Sequence, residues 1–255
     1  MVSLNWLPGT AYIYLIIFAR VGAMLMVIPA LGETTIPARM RLSFALVMAG
    51  VLYPTVSPVI PALSGDVFGV IALLIHEIMV GLIFGGIARL AVSCTQVAGA
   101  VIASSAGLSV AQAADPTNGG IQGALVGSFL SVLGIALIFA TDLHHVALSA
   151  IHDSYMIFKP TDPMMFGDTA QTVIEAVAGA FVVGIQMSAP FIVFGLVFNL
   201  GIGILSRMMP QLQVYFIAMP ATVGIGLGLM AILATMMMGL YLTHFENVLA
   251  MLRGV

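Results

Sequence analysis

Most of this chain consists of long apolar runs that are separated by short polar connections. Hydrophobic residues make up 61% of the 255 positions and charged residues 7%, whereas about a quarter of the residues of a soluble globular protein are charged. So few charges cannot cover a water-facing surface of ordinary size, and apolar runs of roughly 20 residues are long enough to cross a bilayer as helices. The sequence therefore predicts an all-α integral membrane protein.

The apolar residues form about six main segments. We expect several of these segments to be broken or re-entrant and all of them to pack as helical hairpins in a multi-subunit assembly. In chain order they cover residues 10–31, 42–63, 67–92, 121–140, 170–205 and 212–243. The fifth would be about 54 Å long as one helix, whereas the hydrocarbon core measures roughly 30 Å. Either Pro190 breaks this run, or much of it packs against protein instead of lipid.

One stretch, Ser104 to Gly123, is unlike both an exposed loop and a membrane span. It contains four Gly, four Ala, one Pro and a single charged residue, Asp115. An exposed loop would carry several Lys or Glu, and a membrane span would carry more Leu, Ile and Phe. Non-helical backbone at membrane depth is tolerated only inside protein or beside a water-filled cavity. We therefore expect this stretch to line or block a passage.

Four charged residues lie inside the apolar segments: Arg20, Glu77, Arg89 and Glu175. Each would be costly in lipid, so each should face protein or water. Glu77 and Arg89 are twelve residues apart, which is too far for direct pairing along one helix. One hypothesis is a proton or ion path that uses Glu77, Glu175 and Arg20. The other is a set of structural ion pairs between helices or between subunits.

Small residues recur at four-residue spacing, which allows helix backbones to approach closely. Four such stripes are Gly81 with Gly85, Gly119 with Gly123 and Gly127, Ala180 with Gly184 and Ser188, and Gly224 with Gly228. Any one stripe indicates packing within the chain. Four stripes in so short a chain favour an assembly with several partners.

The sequence lacks the motifs of the common enzyme classes. His76 and Glu77 begin as a zinc-protease motif does, but the second histidine of that motif is missing. Neither a G-x-S-x-G motif nor a phosphate-binding loop is present. Cys94 has no acid–base partner near it in sequence. We therefore expect neither catalytic activity nor a cofactor.

A more polar segment follows residue 141 and carries potential metal ligands. These are Asp142, His144, His145, His152 and Asp153. Adjacent histidines point about 100° apart on a helix and do not share a metal easily. A polar helix end or a subunit contact is the preferred interpretation, and no metal site is predicted.

The carboxy-terminal half contains a pattern that is typical of one protein family: Ala189-Pro190, Asn199, Gly201, Arg207, Pro210-Gln211 and Pro220. This pattern resembles the FliR family of flagellar biosynthetic proteins, whose counterpart in virulence secretion is the SctT family. Residues 18–39 look like the first hairpin of that family. Residues 142–145 resemble its usual Gly-His-His, with Leu143 where Gly is common.

The resemblance implies a subunit of the flagellar type III protein export gate. In that family the gate is a channel for unfolded flagellar proteins in the bacterial inner membrane, at the basal body. Its other components are FliP-like and FliQ-like membrane subunits and an FlhB-like protein. The resemblance further implies that residues 1–169 form a FliP-like helical portion and residues 170–255 a FliQ-like hairpin portion.

The resemblance also implies roles for particular residues. Residues 104–123 would be a plug loop that closes the channel, with these candidate residues: Gly107, Leu108, Ser109, Val110, Ala111, Gln112, Asp115, Pro116, Gly119 and Gly120. The turn of the second hairpin would contain Arg207, Pro210 and Gln211. The four buried charges would contact other subunits.

Overall fold

The computed structural model describes residues 7–33, 35–62, 67–107, 119–162, 166–209 and 214–254. Within these ranges the regular structure is helical and contains no strand. The α-helices are α1 (Leu7–Val27), α2 (Ala38–Val56), α3 (Val67–Ser105), α4 (Gly119–Ala140), α5 (Leu143–Ile157), α6 (Phe166–Met208) and α7 (Val214–Leu252). A short 3-10 helix, Ser57–Val59, follows α2.

The prediction of an all-α membrane protein with about six hydrophobic segments is confirmed. Five of the described helices are long and apolar enough to cross a membrane. The number rises to six if α4 and α5, which are bent relative to each other at a short break, count as one broken or re-entrant span.

Three helices are much longer than the apolar runs that predicted them. Helix α3 has 39 residues, α6 has 43 and α7 has 39. At 1.5 Å per residue α6 is about 65 Å long, roughly twice the hydrocarbon core. Pro190 lies inside α6 without ending it, so the suggestion that Pro190 breaks this run is wrong. Helices at membrane depth tolerate proline because neighbouring groups satisfy the freed backbone carbonyl.

Helix α5 lies in the more polar segment that follows residue 141. The mean polarity of that segment indicated only a polar connection. Its buried residues recur at helical spacing and are Leu143, Ala147, Ala150, Ile151, Ser154 and Tyr155. His145 and Asp142 lie on its exposed side. Periodicity of the small and apolar residues, rather than mean polarity, is the signal that predicts this amphipathic helix.

The chain divides into two compact units. The first contains Met1–Leu90, Ile138–Ala176 and Glu246–Val255, and the second contains Ala91–Leu137 and Val177–Phe245. Helices α3, α4, α6 and α7 contribute residues to both units. The predicted division of the chain at residue 170, into a FliP-like and a FliQ-like portion, depends on resemblance to those proteins and stays a prediction.

Glycines set the packing of α3 on α1 in the first unit. A Cβ atom added to Gly81 would lie 2.6 Å from the backbone oxygen of Arg20. A Cβ atom on Gly85 would lie 3.0 Å from the backbone oxygen of Met24. The first small-residue stripe therefore brings two helices of the same chain together.

In the second unit Gly127 and Gly184, which belong to two further stripes, also pack within the chain. A Cβ atom on Gly99 would overlap the Cα atom of Gly127, and a Cβ atom on Gly184 would lie 3.0 Å from the backbone oxygen of Cys94. Gly224 and Gly228 differ, because a Cβ atom on either would meet no atom of the described residues within 4 Å. A subunit contact at this fourth stripe stays a prediction.

Candidate functional site

The predicted plug connects α3 to α4. Its candidate residues Leu108, Ser109, Val110, Ala111, Gln112, Asp115 and Pro116 lie outside the described residues. Gly119 and Gly120 are the first two residues of α4. The structure thus describes both helices that hold the predicted loop, and the conformation of the loop itself stays a prediction.

Gly107 turns the chain away from the end of α3. Its φ angle is +72°, in the left-handed region that glycine adopts without a steric penalty. Its backbone N–H donates to the carbonyl of Ser104 over 3.4 Å, which closes the last turn of the helix. A Cβ atom at Gly107 would lie 3.2 Å from the Cγ2 atom of Thr222. The backbone and its surroundings both favour glycine where the predicted plug begins.

The predicted hairpin turn is described only in part. Arg207 lies in the last turn of α6 and is exposed. A cation in that position interacts favourably with the carboxyl end of a helix. Pro210 and Gln211 lie outside the described residues.

A fully buried ion pair joins α1 to α3 in the first unit. The Nε atom of Arg20 donates to Glu77 Oε2 over 2.6 Å, and the Nη2 atom donates to Oε1 over 2.7 Å. Both side chains are 0% exposed. This two-pronged arrangement is the strongest that an arginine and a carboxylate form, because two parallel hydrogen bonds fix the geometry.

Helix α5 and the residue that directly follows it supply the other partners of Arg20. Nη1 donates to the backbone oxygen of Ser154, and Nη2 donates to that of Phe158, each over 2.9 Å. The guanidinium carbon also lies 4.1 Å from the centre of the Tyr155 ring, within the range of a cation–π interaction. All three guanidinium nitrogens are therefore hydrogen-bonded, and one side chain connects α1, α3 and α5.

This network favours the structural hypothesis for Arg20 and Glu77. Arg20 and Glu77 pair between two helices of one chain, as the hypothesis of structural ion pairs allowed. The resemblance had implied that these charges contact other subunits. A buried charge requires a partner, since desolvation of an isolated ion costs several kcal/mol. Sequence reasoning identified both charges but missed α5, because backbone carbonyls accept from Arg20 and leave no residue-type signature.

The other two charges are not buried in this chain. Arg89 is 49% exposed and its Nη1 atom lies 3.3 Å from Glu33 Oε1. Glu175 is exposed and accepts a hydrogen bond of 2.9 Å from Gln171, one turn earlier in α6. Contact of these two residues with another subunit stays a prediction.

The arrangement gives little support to an ion path through these residues. Such a path would use Glu77 as a carrier, but both of its carboxylate oxygens accept from Arg20. A carrier must exchange its proton or ion. The Glu77 carboxylate is instead paired with the Arg20 guanidinium, and both groups are fully buried. The geometry is that of a structural connection between three helices.

Comparison with known proteins covers almost the whole chain. Residues 11–248 match the family described as bacterial export proteins, family 1. The flagellar biosynthetic protein FliR of Caulobacter vibrioides is 43% identical over 221 residues, which are 87% of this chain and 88% of the relative.

More distant relatives carry the same name. FliR of Bacillus subtilis is 29% identical and the alignment covers 83% of this chain and 82% of the relative. FliR of Escherichia coli is 27% identical and the alignment covers 90% of this chain and 85% of the relative. The matched residues include Arg20, Glu77 and the stretch 104–123. This chain belongs to the FliR family of flagellar biosynthetic proteins, within family 1 of the bacterial export proteins.

Proposed function

We propose that this chain is a subunit of the flagellar type III protein export gate and forms part of the channel for unfolded flagellar proteins. The observation that carries the proposal is membership of an export family along residues 11–248. The partners would be FliP-like and FliQ-like membrane subunits and an FlhB-like protein, in the bacterial inner membrane at the basal body. The proposal gives this chain no catalytic step.

The surface of α6 supports a place inside an assembly. Large exposed hydrophobic residues occur along this helix from Ile174, 61% exposed, to Met208, 74% exposed. These positions are about 51 Å apart along the helix axis. A hydrocarbon core of about 30 Å covers at most about 39 Å of a helix that is tilted by 40°. Partner proteins would cover the rest of this apolar surface.

Within the gate, we assign the stretch 104–123 the role of a plug. Small residues allow a chain to fold back in a narrow lumen, and Leu108 and Val110 would supply an apolar seal. The low charge of the stretch would let it sit in a dry closed channel. Only residues 106–118 of this stretch lie between α3 and α4, and the turn at Gly107 supports a loop that starts there.

The assembly is tested by purification of the full chain from its own membranes in a mild detergent. The export-gate proposal predicts that the chain is recovered in a stable complex with other small membrane proteins. Recovery as a monomer that carries ions across liposome membranes would contradict the proposal. That result would favour an ion-coupled transporter that uses Glu77, Glu175 and Arg20.

A further inference from the structure

Three potential metal ligands lie together at the start of α5. Asp142 directly precedes the helix, and His144 and His145 are in its first turn. Each side chain offers one ligand atom, and these atoms all lie within 4.8 Å of one another. Asp142 Oδ1 and His145 Nδ1 are 3.7 Å apart. The structure therefore brings together residues that the sequence argument had kept apart.

The two histidine rings converge although the residues are adjacent in sequence. Their ring centres are 4.1 Å apart with an angle of 37° between the planes. The ring of His144 also packs against Phe139, with 5.1 Å between the ring centres. This contact holds His144 beside its neighbour, so the separation of about 100° at the helix surface does not prevent both rings from reaching one point.

The carboxylate of Asp142 is not used to cap the helix. Aspartate before a helix normally accepts a hydrogen bond from a backbone N–H of the first turn. Here Asp142 has a left-handed conformation, with φ 58° and ψ 14°, and makes no side-chain cap hydrogen bond. Its carboxylate is instead directed to the side of His145, where it remains mostly exposed.

The distance between Asp142 and His145 suits a shared metal better than a hydrogen bond. Two atoms that each lie about 2.0–2.2 Å from one metal are at most about 4.3 Å apart. The separation of 3.7 Å between Asp142 and His145 meets this limit and exceeds the length of a hydrogen bond. The Nδ1 atom of His144 is buried and has no hydrogen-bond partner among the described residues, so no protein group competes for this nitrogen.

We propose that Asp142, His144 and His145 form a binding site for a divalent transition metal of the Zn²⁺ class. Two imidazoles and one carboxylate are ligands that Zn²⁺ accepts readily, with water in a fourth, open position. Bound metal would connect the residue before α5 to the first turn of this helix. It would thereby stabilise the helix whose other end binds Arg20.

Zn²⁺ binding to the full chain tests this proposal. The chain is purified in detergent, stripped with a chelator, and dialysed against Zn²⁺ of known concentration. We expect one saturable site per chain, and we expect Asp142→Asn and His145→Ala each to weaken binding at least about tenfold. Both residues are mostly exposed, so these variants should fold. The unfolding temperature should rise with Zn²⁺ in the native chain and not in His145→Ala.

His152→Gln provides the matched control. His152 lies in the same helix, outside the cluster, with its Nδ1 atom 3.2 Å from Asp153. We expect this variant to bind Zn²⁺ as the native chain does. The proposal is wrong if the native chain shows no saturable binding, or if Asp142→Asn and His145→Ala bind as tightly as His152→Gln. The measurement requires neither partner subunits nor export activity.

Discussion

Arg20 connects three helices through one guanidinium group. Its nitrogens reach Glu77 on α3 and two backbone oxygens near the carboxyl end of α5, at distances of 2.6–2.9 Å. A charged group that is 0% exposed depends on every one of these partners, because water cannot replace them. The first unit should therefore be sensitive to loss of either charge.

Glu77→Ala should strongly destabilise the chain. The change leaves the Arg20 charge buried without a counter-ion, and breaking such a pair costs about 3–5 kcal/mol. The measurement is the unfolding temperature of the purified chain in detergent. Joint replacement of both residues, Arg20→Met with Glu77→Leu, should recover part of the loss because no uncompensated charge remains.

The matched control is Arg89→Gln, which removes a charge from the same helix. Arg89 is 49% exposed and pairs with Glu33 near the surface, and exposed pairs contribute at most about 1 kcal/mol. Equal losses for Glu77→Ala and Arg89→Gln would show that the Arg20 network does not stabilise the first unit.

The sequence identified Arg20 and Glu77 as charges that require partners, and it could not pair them. They are 57 positions apart, and their meeting depends on how α3 packs on α1. Asp142, His144 and His145 were identified in the sequence as potential metal ligands, but their convergence was not expected. It depends on the left-handed backbone at Asp142 and on the ring of Phe139, neither of which spacing along the chain reveals.

At the scale of elements, composition predicted the long apolar helices but missed the amphipathic one. Runs such as residues 67–92 are apolar throughout, so their helical character follows from composition alone. Helix α3 continues to Ser105 because its second part, with Cys94 and Ala98 fully buried, packs in the second unit. Helix α5 has a mixed composition, and only the periodicity of its buried face identifies it.

The contact between α3 and α1 depends on the absence of a side chain at Gly81. Gly81→Ala should destabilise the chain, because the new Cβ atom would lie 2.6 Å from a backbone oxygen of α1, which is too close for a carbon atom. The helices would have to move apart and lose packing, at a cost of about 1–3 kcal/mol. Thermal unfolding in detergent measures the change.

Gly86→Ala is the control in the same helix. In the part of the chain that the structure describes, a Cβ atom at Gly86 meets nothing within 4 Å, and alanine stabilises a helix by about 0.5–1 kcal/mol relative to glycine. The unfolding temperature should therefore rise slightly or stay unchanged. A loss as large as that of Gly81→Ala would contradict the assignment of Gly81 as the contact point.

At the scale of the whole molecule, the chain has more apolar surface than a bilayer can cover. The exposed hydrophobic positions of α6 continue over about 51 Å, and Gly224 and Gly228 leave space on α7. These features accord with a subunit that lies among partners. Composition predicted an integral membrane protein. The export-gate assembly with its particular partners, and the plug, were implied by resemblance to the FliR family.

The most direct test concerns the plug. Residues 107–119 are deleted, the variant is expressed with its partner subunits, and the leakage of small ions and solutes across the membrane is measured. A chain of the same length, in which a Gly/Ser linker replaces these residues, controls for a change in loop length. We predict that the deletion makes the membrane leaky when the complex assembles. Normal assembly without any increase in leakage would contradict a sealing role for this stretch.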